Sequence, residues 1–139
     1  MNTTERKYIS DQELAAFWSI ASPAIQMAID LSVLTGLGES EVIELAWIDV
    51  YETTIDIRRT KTCRQINVPI SDDIETVLLR AFRRKPSLPR WFVLRQSNGE
   101  PFTSEHFRAQ WKKLMIIWCA LGHRAFSFRD IKRRITPPP

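Results

Sequence analysis

No apolar run in this 139-residue chain approaches the roughly 18 to 20 residues of a membrane span, and the amino terminus lacks the apolar core of a secretory signal. A cytoplasmic protein is expected, nucleoid-associated if its source is a bacterium or phage. Cysteine is scarce. Cys63 and Cys119 are too few for a disulfide framework, and with His106 and His123 they show no zinc-ligand spacing. Both read as unpaired thiols, Cys119 as a buried one. Tyrosine is as rare, and Tyr8 and Tyr51 both lie in the first half.

What is present fits one ordinary domain, with 44% hydrophobic and 26% charged residues. The formal net charge of +4 conceals a strong asymmetry. Residues 1–57 hold ten acids and two bases, whereas residues 58–139 hold six acids and eighteen bases, giving −8 against +12. A lobe that basic attracts polyanions, because Lys and Arg that neutralise phosphates release condensed counterions. The bland alternative is a solvated basic face with no specific partner.

Local signals give the order of elements. Ser10-Asp11-Gln12-Glu13 has the form of a capping box and opens a helix to about Ala21. Ser22-Pro23 reads as an N-cap followed by proline at the first helical position, and the apolar spacing after it runs to Gly36. Residues 40–47 make a third short helix. Alternation at Ile48 and Val50, Ile55 and Ile57, and Ile66, Val68 and Ile70 predicts three antiparallel strands, with a basic turn between the last two. A fourth helix runs from Ser71 to about Arg84 with Val77, Leu78 and Phe82 inward, its first-turn carboxylates favouring the helix dipole. Trp91 to Leu94 form a strand or extended segment. A fifth helix spans Thr103 to Leu121 with Phe107, Trp111, Leu114, Trp118 and Leu121 on one face, a pattern of core packing. A short basic helix over Ser127 to Ile135 ends at Pro137. The fold class is therefore α+β, mainly helical, with a small three-stranded antiparallel sheet.

Four strings carried in this order resemble the catalytic domain of the tyrosine recombinases, the phage integrase family. Tyr8 to Leu14 looks like the opening of that domain, and Leu34-Thr35-Gly36-Leu37-Gly38-Glu39-Ser40-Glu41 looks like its first active-site motif. Ile57 to Thr62, followed by Val68-Pro69-Ile70-Ser71, is similar to the hairpin that carries the catalytic lysine. Phe126 to Arg133 looks like the box with the His-x-x-Arg pair. The likeness covers residues 8–134, between a tail at 1–7 and a proline-rich tail at 135–139. It implies a chemistry in which a tyrosine attacks a DNA phosphodiester while two arginines clamp the phosphate and lysine and histidines manage protons. It implies no metal, nucleotide cofactor or small-molecule substrate, and double-stranded DNA as partner.

The chain departs from the pattern at most of these positions. Gly38 stands where the family has its first arginine, Arg129 where it has histidine and Lys132 where it has the second arginine, so Lys61 alone is kept. Lys132 lacks the planar fork of arginine, and Arg129 stays protonated at neutral pH and is a poor acid or base. No tyrosine follows Lys132 within the seven residues that remain, and the chain reads as a truncated domain. Leu121-Gly122-His123 repeats the letters of a later family box but comes before Arg129, so it is read as a helix C-cap. His106 has no partner suggesting chemistry.

The resulting expectation is a degenerate recombinase domain that binds the DNA backbone through Arg58, Arg59, Lys61, Arg64, Arg129, Lys132, Arg133 and Arg134 and does not cleave DNA alone. Three alternatives stand beside it. One is an interaction module that modulates a full-length recombinase or pairs with itself. Another is a partial recombinase that receives its tyrosine in trans, which would not restore the missing arginine. The last is a relic whose missing tail carried function.

Overall fold

The computed structural model describes residues 9–59, 64–83, 92–96 and 100–133, with backbone alone at 58, 59, 64, 132 and 133. Helix α1 (Asp11–Ile20) begins as its sequence predicts. Ser10 Oγ accepts from the Glu13 amide at 3.0 Å, and Glu13 Oε1 accepts from the Ser10 amide at 2.9 Å. Helix α2 (Pro23–Thr35) is capped by Ser22 and closed by Gly36, whose φ of 80° lies in the left-handed region that glycine enters without steric cost. Ala24, Ile25, Met27, Ala28, Ile29 and Leu31 are all buried, so α2 is apolar nearly all round and forms the centre on which other helices rest.

Helix α3 (Glu39–Glu44) leads into a single 3-10 turn at Trp47–Asp49. Strands β1 (Thr54–Arg59) and β2 (Arg64–Pro69) pair antiparallel with Ile55 opposite Val68, Ile57 opposite Ile66 and Arg59 opposite Arg64. Ile55 and Ile57 face the core. The sheet has two strands among the described residues, not three. Alternation at Ile48 and Val50 does not make a strand, because the amides of Asp49 and Val50 are spent on the carbonyls of Ala46 and Trp47 within the turn. Val50 keeps one isolated bridge, to Ile55, and Ile48 is 80% exposed.

Helix α4 (Asp72–Arg83) packs on α2 through Ile74, Val77, Leu78 and Ala81, and Arg80 pairs with Asp30 of α2 at 3.0 Å. Phe82 is not inward as its spacing suggests. It is half exposed and lays its ring edge-on to Trp47. The strand expected over Trp91 to Leu94 does not form among the described residues: Phe92 bridges to Ala46 and Arg95 to Pro101, residues 93 and 94 are bends between them, and Trp91 lies outside the described residues. Helix α5 (Ser104–Ala120) buries Phe107, Leu114 and Trp118, with Trp111 half-buried. Leu121 falls off this stripe and is exposed, because it has left helical geometry just before Gly122 turns the chain with φ 98°. Cys119 also lies on the outer side of α5 and is exposed, contrary to the buried position expected for it. Helix α6 (Phe128–Arg133) is the last described element and packs on α2.

A cluster of rings joins the ends of the chain. Phe17 of α1, fully buried, lies with its centroid 5.1 Å from Trp111, 5.3 Å from Trp118 and 4.8 Å from Phe126. Trp111 in turn meets Phe126 at 5.7 Å and Phe128 at 5.5 Å. All but the tilted Phe17–Trp111 pair are edge-to-face, and such pairs add about 0.5 to 1.5 kcal/mol each beyond area burial. They fix α1, α5 and the segment entering α6 as one unit. No helix among the described residues is long and apolar enough to cross a membrane.

Candidate nucleic-acid interface

The segment carrying Gly38 is fully built despite the missing side chain. Gly38 precedes α3 with φ −86° and ψ −175°, extended backbone that any residue adopts. Its amide donates to Glu41 Oε1 at 2.8 Å and its carbonyl accepts from the Val42 amide at 3.0 Å. The start of α3 is thus capped from within the chain. Just behind it, Ser32 is fully buried and donates from Oγ to the Leu37 carbonyl at 2.8 Å, which holds the turn from α2 into α3. The backbone at Gly38 and the start of α3 are thus held by main-chain and Glu41 side-chain hydrogen bonds, without a side chain at position 38.

The segment carrying Arg129 is built just as firmly. Asp130, 7% exposed, accepts at Oδ2 from the Ser127 amide at 2.8 Å and the Ser127 hydroxyl at 3.2 Å, while its own amide donates to the Ser127 carbonyl at 3.0 Å. Phe128 and Ile131 are buried on either side of Arg129, so Arg129 itself is left exposed. A guanidinium only donates hydrogen bonds, which suits a phosphate.

Beside Gly38 lies a cation that sequence spacing did not single out. Arg108 of α5 donates from Nε to Glu39 Oε2 at 2.9 Å, across 69 positions of sequence. The Arg108 side chain remains 72% exposed against 24% for Glu39. No local motif signals this pair, since it exists only because α5 packs against α3.

The other predicted cations are described unevenly. Lys61 and Arg134 lie outside the described residues. Arg58, Arg59 and Arg64 occupy the ends of the two strands nearest the hairpin turn, and Lys132 and Arg133 close α6, all with backbone only. Leu121-Gly122-His123 forms the C-cap of α5. The Gly122 amide donates to Cys119 and the His123 ring stacks on Trp118 at 3.7 Å, while Trp118 Nε1 donates to the Arg124 carbonyl at 3.1 Å. His106 sits at the start of α5 with Nδ1 3.1 Å from the Thr103 hydroxyl that caps the helix. Among the described residues no group of His, Cys, Asp and Glu side chains could hold a metal ion.

No protein-family model and no curated protein matches the sequence. Solved structures do match the fold. A lambda integrase tetramer bound to a Holliday junction superposes with a TM-score of 0.74 at 16% identity, over 96% of this chain and 42% of that one. The lambda integrase catalytic core gives 0.73 at 16% identity, over 92% and 80%. The Tn1549 transposon integrase in complex with circular intermediate DNA gives 0.71 at 14% identity, over 96% and 52%. The chain has the fold of a tyrosine recombinase catalytic domain. It spans about two-fifths of the lambda integrase chain in the tetramer.

Proposed function

We propose that this chain is a DNA-binding domain of the tyrosine recombinase family, associated with DNA integration or recombination, that holds duplex DNA by its phosphates and does not cleave it unaided. The observation that supports this reading is an intact local fold at the two segments that resemble the family's site motifs, where the residues depart from the pattern that the resemblance implies. The α3 start is capped and packed, yet Gly38 offers no guanidinium. The α6 start is capped by Asp130, yet it presents an always-protonated Arg129 where proton transfer would need histidine. Losing one preorganised donor to a developing anion costs on the order of 10²- to 10³-fold in rate. Losing positive charge one group at a time costs far less in affinity, because each cation contributes separately through counterion release.

The surface of this reading comprises Arg58, Arg59, Lys61, Arg64, Arg129, Lys132, Arg133 and Arg134. Contacts of that kind fix orientation on DNA and carry no base sequence. Binding is therefore weak and steeply salt-dependent, and the protein's place is with DNA, at the nucleoid if its host is bacterial. A second reading, an interaction module acting on a full-length recombinase or on a second copy, draws on Ile116, Ile117 and Leu121, which leave apolar surface on the outer side of α5 and its end.

The test is fluorescence anisotropy of a labelled duplex titrated at several salt concentrations, with a Lys61→Ala, Arg129→Ala, Lys132→Ala triple variant alongside. Affinity that falls linearly in log-log salt, with a shallower slope for the variant, supports the DNA reading. Absence of binding by the unaltered protein at low salt sinks it and leaves the interaction reading.

A further inference from the structure

Arg108 lies where three elements converge. Its Nε is anchored on Glu39, the residue after Gly38. Its neighbour Phe107 packs edge-on against Phe128, the neighbour of Arg129, with centroids 5.4 Å apart. The start of α3, the first turns of α5 and the start of α6 are thus linked through contacts one residue removed from Gly38, Arg108 and Arg129. Arg108 and Arg129 are both exposed beside this junction.

The geometry of the ion pair leaves the arginine competent for a ligand. Only Nε meets Glu39, and no other partner for the guanidinium occurs among the described residues. The side chain is 72% exposed. An arginine held through Nε keeps its terminal nitrogens available in a fixed plane, which suits bidentate contact with a phosphate. An exposed ion pair of this type adds only about 0 to 1 kcal/mol to stability, so fold stability gives it little purpose. Lys112, one helical turn along α5, is exposed on the same face and adds charge of the same sign.

We infer that Arg108 is a phosphate-binding residue, which supplies from α5, beside Gly38, the guanidinium that Gly38 cannot supply, with Glu39 as its positioning partner. This rests on the DNA-binding reading above and names a residue outside the cations that reading uses. Glu39 orients the fork and is not itself a contact, because a carboxylate repels phosphate.

The experiment compares the full chain with Arg108→Ala, Arg108→Lys and Arg80→Ala in the same salt-series anisotropy assay. Arg80 is the control, since it too is an arginine with an exposed ion pair, 43% exposed and joined to Asp30 at 3.0 Å, but on α4. Circular dichroism confirms that each variant is folded. The expected result is binding by Arg108→Ala weaker by on the order of tenfold, as for loss of one charge-assisted hydrogen bond, with the salt slope reduced by about one. Arg108→Lys recovers the slope but not the full affinity, because it restores charge without the fork. Arg80→Ala stays within about twofold of the unaltered protein. If the unaltered protein binds and Arg108→Ala matches Arg80→Ala, the assignment of Arg108 is overturned while the DNA-binding reading survives. If the unaltered protein does not bind, both fall together.

Discussion

Placing an arginine at position 38 is the most direct probe of the proposed interface. Gly38 has φ −86° and ψ −175°, so a side chain enters without backbone strain, and its two main-chain hydrogen bonds to Glu41 and Val42 do not depend on its being glycine. Replacing glycine at a compatible position also restricts the unfolded chain, a gain of about 0.4 to 1 kcal/mol in the alanine case. Gly38→Arg is therefore expected to be at least as stable as the unaltered protein in urea denaturation. One added phosphate contact should raise the salt slope by about 0.9 and tighten binding on the order of tenfold. In an Arg108→Ala background the same change should return affinity to near the original, since one guanidinium then replaces another beside the start of α3. A Gly38→Arg protein that folds normally yet binds duplex DNA no better in either background would mean that this segment does not face phosphate. A protein that unfolds would refute the argument that the segment is built independently of its side chain.

Two further outcomes follow from packing and charge. Phe17→Ala removes the ring at the centre of the aromatic cluster and should cost about 3 to 5 kcal/mol in urea denaturation, a large share of a typical 5 to 15 kcal/mol; a loss below about 1.5 kcal/mol would mean that the cluster is not close-packed. Burial holds the Asp30 carboxyl above the ordinary aspartate range, with the Arg80 guanidinium partly opposing the shift. Between the ordinary pKa and this raised one the native state binds more protons than the unfolded state. The stability Asp30 contributes is therefore fully present below the ordinary aspartate pKa and lost as pH rises through the raised one. The melting temperature of the unaltered protein minus that of Asp30→Asn should accordingly fall as pH rises from the acid range toward neutrality, and a difference that is flat or rising would contradict the burial argument. Glu13, held below the ordinary glutamate range by Ser10's backbone and hydroxyl hydrogen bonds, contributes with the opposite sign, since its share is lost as pH falls. The Asp30→Asn difference isolates one slope from the other.

Helix beginnings were the most legible part of the chain, because caps are local chemistry. Ser10 with Glu13, Ser22 with Pro23, and Gly36 and Gly122 at positive φ all do what their sequence neighbourhood implies. The third strand failed for an equally local reason. Ile48 and Val50 alternate over only three residues, too few to outweigh a 3-10 turn that uses the same amides. Leu121, Phe82 and Cys119 went astray where burial is decided by neighbours distant in sequence, since spacing identifies a helix face but not where packing on that face ends. The same limit applied to the interface. Gly38 and Arg129 stand out within their strings, and Ser127 with Asp130 has capping-box spacing that could have been read. The Arg108 to Glu39 pair spans 69 positions and has no sequence signature at all.

On the proposed reading, charge and geometry degrade at different rates, so a phosphate-binding face outlasts a catalytic centre. Affinity from counterion release counts cations and tolerates displacement of any one of them, whereas stabilising a transition state requires donors held in place at one atom. On the proposed reading, the departures at Gly38 and Arg129 from the pattern that the family resemblance implies bear mainly on the second property. The half of the chain that holds α3 carries −8 over residues 1–57, and Glu39 within it is paired with Arg108 from the basic half. On the proposed reading, Arg108 and Arg129, both exposed, are the cations that a duplex at the junction of α3, α5 and α6 would meet. Removing Arg108 does more than subtract one cation, because it also leaves the Glu39 carboxylate without that partner. Arg80→Ala on α4 does the same to Asp30, so a difference between the two variants reads the position of the cation and not the loss of an ion pair.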